Sequence, residues 1–204
     1  MTTESLYHIP GGVTACILAG GKGSRLGGTD KGLLKIADKY LIEHCVEKIT
    51  PQVDKILISA NRNFKIYSSL CDLVVADSFG IFEGPLAGIL SAMEHSDTRY
   101  LTTIPCDAPL FPDNLVHLLF RPIIEGRAEA TVACVGGRLH PTFSCMSSDW
   151  DSSLRSYLLS GKRKILTWLE EFSLEKVEFP DERQFTNINT SEELLETKKY
   201  LEHD

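Results

Sequence analysis

Two patterns of apolar positions alternate along this chain. Short β-branched runs of strand length are interleaved with segments whose apolar residues recur every three or four positions, the signature of a largely parallel sheet covered by helices. The first strand is expected over residues 13–18, followed by a polar, glycine-rich stretch over 19–32. Residues 40–49 then set Leu41, Cys45 and Ile49 on one face of a helix. Further strands are expected at 55–60, 72–76 and 100–104, the last ended by Pro105. Helices are expected at 64–70, at 86–94 behind Pro85, and from Pro112 to about Leu119.

Beyond residue 130 the pattern changes. The runs 130–135 and 142–145 are separated by Gly136-Gly137 and two basic residues, too little chain for a crossover helix, so they are expected to pair antiparallel. From Ser148 the chain reads as helical, with Leu154, Leu158 and Leu159 on one face and Ile165, Trp168 and Leu169 on another. Residues 176–179 form a weak strand. Thr190 with Glu193 three positions on is a capping box, opening a last helix that carries Leu194, Leu195 and Leu201. No repeat, low-complexity tract or linker interrupts the pattern, so one domain is expected over 1–204, with a flexible N-terminus over 1–12.

Composition narrows the function. The 204 residues allow one domain of the usual ~150 with a modest surplus. With 43% hydrophobic and 24% charged residues, the chain is not disordered, collagen-like or a coiled coil, and no apolar run is long enough to span a membrane. The balance of 21 basic against 28 acidic residues, a net charge of −7, argues against nucleic-acid or acidic-lipid binding through bulk electrostatics. Any anion must be bound locally. The first ten residues lack an apolar core behind a basic cluster, so no secretion signal is expected and the cytoplasm is the expected location. The six cysteines include no C-x-x-C pair, and Cys16, Cys71, Cys134 and Cys145 fall in or beside strands, where buried thiols are expected.

The densest chemistry lies directly after the first strand, in Leu18-Ala19-Gly20-Gly21-Lys22-Gly23-Ser24-Arg25-Leu26-Gly27-Gly28-Thr29-Asp30-Lys31. Glycines leave backbone N–H groups open to a phosphate, and Lys22, Arg25 and Lys31 bring positive charge to an otherwise acidic chain. This is a polyphosphate site in outline. It is not a Walker A loop, because no Gly-Lys is followed by Ser or Thr, and it is not a dinucleotide fingerprint, because Leu26 stands at the third glycine position. A ribose-binding acid at the end of the next strand is also missing, which excludes a nicotinamide-dependent oxidoreductase. Ser59-Ala60-Asn61-Arg62 stands there instead, with neutral groups suited to a base edge.

Asp107 lies just past the strand that ends at Pro105, on the sheet edge where open α/β folds bind ligands. Facing phosphates, such a carboxylate calls for a bridging Mg²⁺, which typically takes one or two carboxylates plus substrate oxygens; the plainer alternative is a turn or N-cap acid before Pro109. Asp77 ends its strand similarly, as a ribose or second metal contact or as a turn acid. Gly84 and Gly88 flank a helix start, which suits either close ligand approach or simple helix initiation. His140, between Leu139 and Pro141, is read as structural or substrate-lining rather than as a base.

The glycine loop resembles that of the nucleotidyltransferases that activate sugars and related phosphates, and its continuation through Gly27-Gly28-Thr29-Asp30-Lys31-Gly32 resembles the molybdenum cofactor guanylyltransferase (MobA) branch. The resemblance extends over nearly the whole chain, through Ala60-Asn61-Arg62, Gly84-Pro85-Leu86-Ala87-Gly88, Pro105-Cys106-Asp107, His140-Pro141-Thr142 and Asn187-Ile188-Asn189-Thr190. It implies a three-layer α/β/α, Rossmann-like nucleotidyltransferase fold, with a mostly parallel sheet and an antiparallel addition. It implies transfer of GMP from GTP to the terminal phosphate of molybdopterin, releasing pyrophosphate.

By position, Leu18, Ala19, Gly20, Gly21, Lys31, Ser59, Asn61, Asp77 and Asp107 are then expected to serve GTP, with Asp107 as the Mg²⁺ ligand. Arg25, Gly84, Gly88, Asn187 and Asn189 are expected to face molybdopterin, and Arg25, Lys31 and Asp107 to carry catalysis. Ser59 stands where a relative has asparagine, so a shorter group faces the base, with Asn61 or backbone sharing its recognition. Transient contact with proteins that deliver or receive the cofactor is a further expectation. The alternatives are a cytidylyltransferase or a sugar- or polyol-phosphate nucleotidyltransferase of the same fold, and, from another class, a non-catalytic carrier or insertion protein for the cofactor.

Overall fold

In a computed structural model of the chain, which describes residues 9–21, 30–36, 38–80 and 84–201, the elements run β1 (Val13–Leu18), a small hairpin β2 (Lys35–Ile36) and β3 (Lys39–Tyr40), α1 (Leu41–Ile49), β4 (Lys55–Ser59), α2 (Phe64–Tyr67), β5 (Leu73–Val75) and α3 (Pro85–His95). There follow β6 (Tyr100–Pro105), α4 (Leu115–Ile124), β7 (Ala130–Val135), β8 (Arg138–Ser147), α5 (Asp151–Leu159), α6 (Ile165–Leu169), β9 (Leu174–Glu178) and α7 (Ser191–Leu201). Seven strands form one sheet in the order β5-β4-β1-β6-β8-β7-β9. The first four are parallel, β8 runs antiparallel to both β6 and β7, and β9 is parallel to β7.

Strand alternation explains the layers. Along β1, Val13, Ala15 and Ile17 face one side, where Ile42, Cys45 and Ile49 of α1 and Leu115, Leu119 and Phe120 of α4 cover them. Cys16 and Leu18 face the other, under Leu86, Ile89, Leu90 and Met93 of α3, with Leu154 and Leu158 of α5 and Trp168 of α6 in the same cluster. A third, small cluster joins Ile36 and Leu41 to Ile188, with Leu194 and Leu201 packed against it, so the C-terminal segment is seated on the β2–β3 hairpin. The result is the expected α/β architecture, mostly parallel, with the expected antiparallel pair.

Several boundaries differ for local reasons. β8 spans ten residues rather than four, because its pairing with β7 shifts between Val132↔Ser144 and Ala133↔His140. Pro141 falls in that irregularity, where a missing N–H breaks no ladder bond. α4 begins three residues late and runs through Pro122, whose buried ring sits in the last turns. Leu159 does not share the face of Leu154 and Leu158 but is 71% exposed, and Leu195 is exposed while Leu194 packs inward. The hairpin of two-residue strands was too short to show as a hydrophobic period. Of the expected flexible stretch 1–12, residues 1–8 lie outside the described residues, whereas Ile9 is buried and its carbonyl accepts from the Gly12 N–H at 2.9 Å.

Candidate active site

β1, β4 and β6 end side by side at Leu18, Ser59 and Pro105. The chain moves outward from β1 through β4 to β5 and then returns to β1's other side as β6, so this edge is a topological switch point, the place where open α/β sheets hold ligands. A cleft of about 240 Å³ opens there. Seven of the expected residues line it: Leu18, Gly20, Gly21, Ser59, Asp77, Gly84 and Gly88. Pro85, Pro105 and Thr142 complete the wall; all three belong to blocks that carry the resemblance, although none is among the expected site residues. Gly84 immediately precedes α3, so the positive end of an eleven-residue helix meets the cleft. Ala19 is buried behind the wall, its N–H donating to the Ser59 carbonyl at 2.8 Å.

Asp77 is held from the bend that follows β4. Asn61 Nδ2 donates to Asp77 Oδ2 at 2.7 Å, and the Asp77 N–H donates back to Asn61 Oδ1 at 3.1 Å. Both ends of the Asn61 amide are directed at Asp77, which makes Asn61 the residue that orients this carboxylate, while Ser59 is the one that faces the cleft.

A second group of expected residues meets around one ammonium. Lys31 Nζ donates to Asp107 Oδ2 at 2.8 Å and to Asn189 Oδ1 at 2.6 Å. The Asp107 carbonyl accepts from the Ile188 N–H at 2.7 Å, and Asn189 Nδ2 donates to the Asn187 carbonyl at 3.1 Å. Three distant stretches of chain thus converge: the segment after the glycine loop, the end of β6, and the entry to α7. The Lys31 and Asp107 side chains keep only 23% and 10% of their surface exposed, so their attraction is less screened than that of a surface pair. The Cys106 N–H donates to the Leu18 carbonyl at 3.2 Å, which ties this cluster to the cleft wall. Arg25 and Lys22 lie outside the described residues.

His140 packs against Phe185 with ring centroids 5.2 Å apart, and burial first, then Arg138, lowers its pKa below the ordinary histidine value. All six cysteines are free. Burial pushes Cys145 up to about 12 and raises Cys16, Cys45 and Cys106 well above the thiol range, so these are packing residues and not nucleophiles.

Among the described residues no group of three or more His, Cys, Asp or Glu side chains could cage a metal. The carboxylates at this edge are Asp77, which lines the glycine-rich cleft, and Asp107, which is paired with Lys31 beside it. That set fits a hard ion that arrives carried largely by phosphate oxygens.

The edge cleft, the glycines that line it and the cation–carboxylate cluster beside it suit an α/β fold that binds a phosphate-bearing ligand at its switch point. A family model for the MobA-like NTP transferase domain matches residues 15–176, and the chain belongs to that family. It is similar to the molybdenum cofactor guanylyltransferase of Shewanella piezotolerans, at 38% identity over 89% of each chain. It is also similar to the protein of that name from Cupriavidus pinatubonensis, at 43% identity over 89% of this chain and 94% of the relative. Among solved structures, molybdopterin-guanine dinucleotide biosynthesis protein A from Archaeoglobus fulgidus superposes with a TM-score of 0.75, covering 94% of this chain and all of that one at 23% identity.

Proposed function

We propose that this chain is a molybdenum cofactor guanylyltransferase, transferring GMP from GTP to the terminal phosphate of molybdopterin and releasing pyrophosphate. The observation that carries the reading is the convergence of Lys31, Asp107 and Asn189 on one ammonium beside a glycine-lined cleft at the switch point. The described part of its catalytic core is one cation, Lys31, and one carboxylate, Asp107, set between a nucleotide site and an acceptor site. The base is assigned as guanine on the names of the relatives.

No protein nucleophile is needed, because the acceptor phosphate carries its own charged oxygen for in-line attack at the α-phosphorus. The protein supplies position and charge. Gly20 and Gly21 give the triphosphate backbone N–H groups, Gly84 and Gly88 at the start of α3 face molybdopterin, and Asp77, fixed by Asn61, accepts from a nucleotide hydroxyl. Lys31 stabilises negative charge on the reacting phosphates, and Arg25 does the same in this reading. Asn187 and Asn189 close the acceptor side. Asp107 would hold Mg²⁺, which when bound supplies Lewis-acid neutralisation of phosphate charge. No described helix is long and apolar enough to cross a membrane; in this reading the reaction takes place in the cytoplasm, with transient contact to proteins that deliver or receive the cofactor.

The test is to incubate the purified protein and Mg²⁺ with molybdopterin and each of the four nucleoside triphosphates, measuring pyrophosphate release. Release with GTP alone is expected. Preference for CTP would move the chain to a cytidylyltransferase role, and cofactor binding without release would make it a carrier.

A further inference from the structure

Asp30 is a carboxylate only 6% exposed, directly preceding Lys31. Its Oδ1 accepts from Tyr67 Oη at 2.6 Å and its Oδ2 from Asn63 Nδ2 at 2.8 Å, while Arg62 Nε stands 3.4 Å from the same Oδ2. Arg62 Nη2 also donates to the Gly21 carbonyl at 3.3 Å. One guanidinium therefore touches both Gly21 of the cleft wall and the residue beside Lys31. Asn63 takes a left-handed conformation, φ 56°, at the start of α2, which carries Tyr67.

The same tyrosine closes over the other side of Lys31. A Cβ placed on Gly32 would stand 2.8 Å from Tyr67 Oη, so the backbone there fits beneath the phenol only as glycine. Burial, and then the hydrogen bond to Asp30, raise the Tyr67 hydroxyl above the ordinary tyrosine range, so it remains a donor. Buried charge clusters of this kind are weak contributors to stability compared with apolar packing, which leaves geometry as their use. Lysine needs such help, because its charge sits on a flexible four-carbon stem and lands reliably only if its backbone is fixed.

We propose that Asp30, clasped by Tyr67, Asn63 and Arg62, is a positioning residue that sets the backbone at residues 30–32 so that the Lys31 ammonium meets Asp107 and Asn189. The catalytic consequence rests on the guanylyl-transfer reading; the clasp itself does not. Asp30→Asn places an amide N–H₂ against donors that now face carboxylate oxygens, and Tyr67→Phe removes only the hydroxyl.

The test follows the side-chain signal of Lys31 by NMR in protein carrying ¹³C-labelled lysine, assigned with Lys31→Arg, alongside pyrophosphate release. Both substitutions are expected to shift or broaden that signal and to lower turnover roughly ten- to hundredfold, the scale set by loss of reacting geometry. In a Lys31→Ala background they are expected to lower the residual turnover no further. A Lys31 signal unmoved in both variants would overturn the clasp, as would an equal loss of turnover with and without Lys31. If Asp30→Asn does not fold, Tyr67→Phe carries the test alone. A signal that moves while Lys31→Ala transfers GMP at the wild-type rate would leave the clasp standing and remove Lys31 from the proposed reaction.

Discussion

A Cβ built on Gly88 would stand 2.2 Å from Ser59 Oγ and 3.0 Å from Ser59 Cβ, so the first turn of α3 lies against the end of β4 only because position 88 has no side chain. Gly88→Ala is therefore expected to push the helix away from the cleft, destabilising the protein by about 1–3 kcal/mol as overpacking does. Adding Ser59→Ala removes the closest atom and should recover part of that loss. Denaturant midpoints of the single and double variants decide it; additive losses would mean that the two positions do not collide.

Asn61 is expected to act through Asp77. Asn61→Ala removes the hydrogen bond to the Asp77 carboxylate and the one that holds its backbone N–H, and should weaken GTP affinity about tenfold, the scale of one hydrogen bond to a charged group. Calorimetric titration with GTP measures this directly. In an Asp77→Ala background the same substitution should have little further effect.

Lys31→Ala should lower turnover by roughly two to three orders of magnitude, as loss of one preorganised charge-stabilising donor does. Asp107→Ala is expected to be at least as severe while leaving the fold intact, since the carboxylate sits at the sheet edge. Chelation with EDTA should abolish pyrophosphate release by the wild-type protein, and added Mg²⁺ should restore it. Full activity of Asp107→Ala with Mg²⁺ present would remove this residue from the metal site.

The capping box of α7 separates stability from function. Glu193 Oε2 accepts from both the Asn189 N–H at 2.6 Å and the Thr190 N–H at 2.9 Å, and the Glu193 N–H donates to Thr190 Oγ1 at 3.2 Å. Thr190→Ala should cost about 1 kcal/mol, the usual value of an N-cap, with turnover unchanged. Glu193→Ala also releases Asn189, which holds Lys31, so its turnover should fall as well. Thermal melts and steady-state kinetics on the two variants provide the comparison.

His140 gives a pH signature. Its folded pKa lies below its unfolded value, so the folded state favours the neutral ring and the unfolded state binds the proton first. The stability it contributes is complete above the unfolded pKa, about 6.5, and is lost as pH falls toward the depressed folded value. His140→Gln should therefore flatten the drop in melting temperature between pH 7.5 and pH 5.5. An identical drop in both proteins would exclude His140 as the cause.

Much of this architecture could be read from the chain. The bounds of β1 and β7 follow directly from their apolar runs, and the Gly136-Gly137 turn announced an antiparallel partner. Among the seven cleft residues, the glycines, Ser59 and Asp77 are legible because glycines and strand-terminal polar residues advertise a sheet edge, whereas Leu18 follows only from the family resemblance. What could not be read depends on partners far away in sequence. Tyr67 carried no sign of its role, because a tyrosine on a one-turn helix is defined only by what it meets, here Asp30. The pairing of Asn61 with Asp77 has no mark in the sequence, since a side-chain amide suits a purine edge and a carboxylate equally well. Pro141 concealed most of β8, since an irregular register that tolerates proline leaves no mark in hydrophobic period.

The bond between Lys31 and Asn189 spans 158 positions, and the strip that carries Asn189 is seated by Ile188 on the hairpin beside Lys31. Synthesis proceeds from the other end. The four parallel strands, the glycine-lined wall and Asp107 all leave the ribosome well before Asn189 does, and in that interval Lys31 has only one of its two partners. On the proposed reading, a chain cut before residue 187 would retain every residue that lines the cleft yet lack Asn187 and Asn189, so nucleotide binding and transfer should be separable by truncation.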